Sequence, residues 1–94
     1  RGFSFEITIE DAWKQFEKQN GKCALTGEPL SFATANKQTD GTASLDRIDS
    51  NLGYTRDNIQ WLHKDINRMK LHHSVEKFLT LCEKVVSYNK TKTA

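Results

Sequence analysis

The sequence predicts a small α+β fold: one domain with an N-terminal helix, a two-stranded hairpin running into a short helix, and a C-terminal helix. Three observations carry this. A chain of 94 residues with 36% hydrophobic and 28% charged residues describes a single globular domain with one core. Apolar residues recur at helical spacing near both ends and at strand-like spacing only in the middle. Turn-forming residues separate these stretches, and no repeat or second domain interrupts residues 1–94.

The first helix is announced by Thr8 and Asp11, which have the spacing of a capping box. Ile9, Ala12, Trp13 and Phe16 then line one face, and Asn20-Gly21 should end the helix. "GKCALTGEPL" reads as a turn-rich knuckle around Gly27 and Pro29, and Ala33 to Thr42 as a polar loop. Ala43 to Asp49 reads as a strand, Ser50-Asn51-Leu52-Gly53 as a turn, and Ile59 to Leu62 as a second short strand. Trp61 on that strand is expected to anchor the core.

A helix is expected from Leu62 or His63 to about Leu71. It carries an apolar stripe of Leu62, Ile66 and Met69 beside a polar one of His63, Asn67 and Lys70. The strand-turn-strand-helix unit thus covers about 43–71. Ser74 is a good N-cap for a last helix over about 75–87, with Val75, Phe78, Leu79, Cys82, Val85 and Val86 as its core face. Tyr88 to Ala94 reads as a fraying basic tail.

The net charge of +2 permits binding to a polyanion without announcing it. Arg56, Lys64, Arg68 and Lys70, with His72 and His73, make one region basic, whereas Glu6 to Asp11 is acidic. No apolar run approaches the ~20 residues of a membrane span, and no secretory signal is visible. Cys23 and Cys82 are read as free thiols of a reducing cytoplasm, Cys82 as core filler. The opening Arg1-Gly2-Phe3, without Met, reads as a piece of a larger protein, whose other domains or subunits are candidate partners.

Leu45-Asp46-Arg47-Ile48-Asp49 followed by Asn58-Ile59-Gln60-Trp61-Leu62-His63-Lys64 and Asn67 resembles the ββα-metal motif of the HNH (His-Asn-His) nucleases. Within that family it is similar to the branch found in phage proteins and mobile elements. The resemblance is detailed from about Cys23 to Lys70. It implies a metal-dependent endonuclease that hydrolyses nucleic-acid phosphodiesters, DNA before RNA, in the cytoplasm of a bacterial or phage-infected cell. Its single metal would be Mg²⁺ or Mn²⁺, a hard cation that seeks oxygen ligands.

By this resemblance Asp46 and Asn67 are the metal ligands, and Asn58 holds the loop by hydrogen bonds to backbone. The competing reading of Asp46 is a simple pair with Arg47 or a neighbouring cation. Asp49 is expected to cap the Ser50–Gly53 turn rather than bind metal. Arg47 stands where most of the family has the His that activates water. A guanidinium stays protonated, so Arg47 would clamp a phosphate oxygen instead.

The base role would then pass to His63, one helical turn before Asn67. His63 is alternatively a third metal ligand or a helix-start His satisfied by backbone. Lys64, Arg68 and Lys70, with Arg47, are the candidate nucleic-acid contacts. Some relatives carry two Cys-x-x-Cys zinc knuckles. Here Thr26 partners Cys23, while His63 and Ile66 occupy the second pair's positions, so no structural zinc is expected. The second function class is a catalytically silent nucleic-acid-binding module, motivated by Arg47 in place of His.

Overall fold

The computed structural model describes residues 5–33 and 41–92. The first helix, α1 (Ile9–Lys18), starts as its residues dictate: Thr8 Oγ1 accepts from the Asp11 amide at 3.1 Å, and Asp11 Oδ2 accepts from the Thr8 amide at 3.0 Å. Two residues with positive φ, Asn20 and Gly21, turn the chain away from the helix end, and the Gly21 amide donates to the Phe16 carbonyl. Asn and Gly are the residues that tolerate this region. The knuckle follows: Cys23 N–H donates to Glu28 O at 2.8 Å, and Gly27, at φ 76°, donates to Cys23 O at 2.9 Å.

Most of the predicted polar loop lies outside the described residues. Where the chain resumes, a Cβ on Gly41 would meet the Ala33 nitrogen at 2.5 Å, so only glycine fits. The hairpin consists of β1 (Ala43–Arg47) and β2 (Ile59–His63), antiparallel, with Ser44 opposite Leu62, Leu45 opposite Trp61 and Asp46 opposite Gln60. The predicted first strand continued to Asp49. It stops at Arg47 because the Asn58 side chain takes both the N–H and the carbonyl of Asp49, which a ladder partner would otherwise hold.

Between the strands, Asp49 caps the turn as expected: its Oδ1 accepts from Asn51 N–H at 2.9 Å. A 3₁₀ turn, Arg56–Asn58, leads into β2. The short helix α2 (Lys64–Lys70) begins one residue after the predicted window and ends before Leu71, whose φ of 52° no helix accommodates.

Alternation along the two strands gives the sheet two unlike faces. Leu45 and Trp61 face α1, where Trp61 stacks edge-on against Phe16 and Phe32, and its indole N–H donates to Ala12 O at 2.8 Å. Gln19 adds a second tie, accepting from Trp61 N–H and donating to Trp61 O, both at 2.9 Å. Trp61 thus anchors the α1 packing. Ser44, Asp46, Gln60 and Leu62 face α2.

The last helix, α3 (Val75–Lys92), is capped by Ser74 as expected, and the predicted basic tail is helical through Lys92. Its expected core face is not realised. Phe78 is buried, but Val85 is 61% exposed, and Leu79 and Val86 also meet solvent. Beyond Phe78 the helix is mostly exposed. The radius of gyration, 15.2 Å, exceeds the roughly 12 Å of a compact chain this long. Cys82, half-buried, lines an apolar groove with Met69, Phe78, Val85 and Val86.

Candidate active site

The α2 face of the hairpin is built around Asp46. Its Oδ2 accepts from the Gln60 side-chain amide at 3.0 Å, directly across the strands. The same oxygen lies 3.1 Å from the Lys70 ammonium, which is also 3.4 Å from Oδ1 and donates to Arg47 O at 3.3 Å. One turn earlier on α2, Asn67 Nδ2 donates to Ser44 Oγ at 2.7 Å. Ser44 and Asp46 are two apart on β1 and so share a face; Asn67 and Lys70 are three apart on α2 and share the facing stripe. Asp46 and Asn67 are therefore neighbours in space.

Each stripe has one fully buried member, Leu62 in the apolar one and Lys70 in the polar one. Lys70 is 0% exposed, whereas Met69 is 61% exposed. A buried ammonium survives only with partners that replace its water shell, and Asp46 and the Arg47 carbonyl are those partners here. One expectation changes accordingly: Lys70 does not reach solvent as a nucleic-acid contact would. The competing reading of Asp46, a pair with a neighbouring cation, is realised with Lys70.

Asn58 is buried and uses its whole amide on the turn. Its Oδ1 accepts from Asp49 N–H at 2.8 Å, while Nδ2 donates to Asp49 O at 3.0 Å and to Gly53 O at 2.8 Å. This fixes where β1 ends and β2 begins.

Arg47 and His63 lie on the opposite face of the pleat. Arg47 donates to Ser50 O at 3.0 Å and Leu52 O at 3.1 Å, with its guanidinium 5.3 Å from the centre of the Tyr54 ring. It holds the turn. His63 caps α2, its Nδ1 accepting from Asp65 N–H at 3.1 Å. That contact ties the Nδ1 side of the ring to the start of α2, with the Asp65 carboxylate 3.8 Å from the same nitrogen. Of the remaining basic residues, Arg68 is exposed and pairs with Asp65 at 3.5 Å, and Lys64 is half-buried.

Ser44 and Gln60 escaped the sequence reading. The period-two spacing of Ser44 and Asp46 was the available signal for the first; Gln60 needed the strand register. At the knuckle, burial pushes the Cys23 thiol up. Hydrogen bonds from Thr26 and from the backbone at His63, Leu25 and Thr26 outweigh burial and leave it below its ordinary value.

No family model, curated protein or solved structure matches this chain. The donors themselves suit a hard divalent ion, one carboxylate and one amide carbonyl on a shared face. Among the described residues no three His, Cys, Asp or Glu side chains converge, so amide oxygen and water would complete such a shell. No helix among the described residues is long and apolar enough to cross a membrane.

Proposed function

We propose that this domain is a metal-dependent endonuclease acting on nucleic-acid phosphodiesters, DNA before RNA, with Asp46 and Asn67 as ligands for Mg²⁺ or Mn²⁺. The observation that carries it is their adjacency on one face of a hairpin-helix unit whose turn is clamped by Asn58. When bound, such an ion stabilises charge that develops on phosphate and leaving oxygen. The chain's own residues set the stage for this. Gln60 orients the Asp46 carboxylate, Ser44 orients the Asn67 amide so that its carbonyl stays available, and Asn58 fixes the strand ends. Arg47 acts through the turn it holds, and Arg68 and Lys64 are the basic residues left to meet a phosphate backbone.

Plasmid incubated with the domain and Mg²⁺ or Mn²⁺ should be nicked, and EDTA should stop the reaction. Asp46→Ala and Asn67→Ala should each abolish nicking. Because His63 is spent on capping α2, His63→Ala should leave the rate within about tenfold; the loss of about two to four orders of magnitude expected for a general base would return that role to it.

A second reading, a catalytically silent nucleic-acid-binding module, is favoured by one observation: the Asp46 carboxylate is already neutralised by Lys70. It predicts salt-sensitive binding without product, unchanged in EDTA.

A further inference from the structure

The Lys70 ammonium lies where a cation bound to Asp46 would draw its charge balance. It is fully buried, 3.1 Å from the carboxylate, and held in place by the Arg47 carbonyl as well as by Asp46. The pair is electrically neutral, so the face as folded offers a divalent ion no net negative charge. Gln60 occupies a further lone pair of the same oxygen. The segment that follows Lys70 is strained: Leu71 sits at φ 52°, ψ −126°, a region that side chains other than glycine rarely adopt.

We propose that Lys70 is a tethered competitor for the metal: its ammonium holds the Asp46 carboxylate in the metal-free domain, and a divalent ion gains Asp46 only by displacing it. This rests on Asp46 being a metal ligand. The role is specific to the charge at the end of a long stem. The methylenes fill the space under α2, and the ammonium supplies the positive charge that would otherwise have to come from solution. A consequence is that the domain folds without metal and binds metal weakly, because ion binding must break a buried pair. Another is that the lysine leaves its burial site whenever the ion is seated.

The test uses the 94-residue chain and Mn²⁺ as probe. Binding is followed by calorimetry in the wild type, Lys70→Met and Lys70→Gln, with circular dichroism as the check on folding. Removing the adjacent positive charge should tighten Mn²⁺ binding by about tenfold or more, since like charges a few ångströms apart repel strongly where water is excluded. A variant that is unfolded alone but folds on adding Mn²⁺ supports the proposal equally, because the ion then replaces the ammonium. Equal Mn²⁺ affinity in wild type and variants overturns it.

Should neither variant fold under any condition, the wild type decides alone. The Lys70 ammonium resonance, protected by burial, should vanish as Mg²⁺ saturates the domain, and its persistence alongside bound Mg²⁺ overturns the proposal. The two failures are distinguishable. Wild-type nicking and Mg²⁺ binding with Lys70 still seated would sink the displacement while leaving the nuclease reading intact. Mn²⁺ binding that unseats Lys70, and is tighter in Lys70→Met, in a domain that nicks no nucleic acid would do the reverse.

Discussion

The two faces of one short hairpin are held by opposite kinds of physics. On the α1 face, Trp61 meets Phe16 and Phe32, ring against ring, with centroids 5.0 to 5.7 Å apart among the three, and Leu45 lines a groove with Ile9 and Ala12. On the α2 face, alternate residues of the same strands place Asp46 and Gln60 beneath a buried lysine. The aromatic face rests mainly on area and shape, with neutral hydrogen bonds linking Trp61 to Ala12 and Gln19, so it tolerates substitution by similar volumes. The ionic face needs every partner present, because an unpaired buried charge costs more than the pair contributes. A stable domain could have used aromatics on both sides. The contrast between the faces is measurable.

The largest effect should come from splitting the Asp46–Lys70 pair. Asp46→Ala or Lys70→Met alone should each cost about 3–5 kcal/mol in urea unfolding, while Asp46→Leu combined with Lys70→Met should recover most of that loss. Single variants within about 1 kcal/mol of wild type would show that water reaches the pair and that the two faces differ less than argued. Next comes the clamp between the strands: Asn58→Ala leaves backbone groups of Asp49 and Gly53 without partners and should cost about 2–3 kcal/mol. An unchanged midpoint would mean that solvent satisfies the turn.

On the aromatic face, Trp61→Phe keeps most of the ring packing and gives up the bond to Ala12. About 1 kcal/mol should be lost, well below the cost of either charge substitution. A loss equal to that of Lys70→Met would erase the distinction between the faces. The smallest expected change is a gain. Leu71 is exposed and at positive φ, so Leu71→Gly should add about 1 kcal/mol, read as a rise in melting temperature. Destabilisation instead would reveal packing by Leu71 that its exposure conceals.

Much of the fold was legible because its signals are local. Thr8 and Asp11 announce the α1 cap three residues apart, Ser74 announces that of α3, and Asp49 its own turn. The role of Asn58 in holding the turn, implied by the family resemblance, suits an amide that can donate and accept at once. Its partners are at most nine residues away. Where the reading of α3 went astray, the cause was also physical. Periodic apolar residues show which face a helix would bury, but not whether anything covers it, and Val85 and Val86 meet solvent.

The sequence by itself determined the element types, the alternation that sorts β1 into two faces, and the presence of Asp46 and Asn67 at ligand-like spacing. Only the tertiary structure decided what those residues meet. Lys70 lies 24 positions from Asp46, and helical spacing alone put it beside Asn67 and His63 on a stripe that read as site-lining. Packing α2 across β1 turned Asn67 and Lys70 inward, so a residue expected to meet a polyanion became the buried counter-ion of a carboxylate. The register likewise sent His63 and Arg47 to the other side of the pleat. The reason is general: periodicity fixes which side chains share a face, whereas burial, and with it the energy of every charge, depends on which element comes to lie over that face.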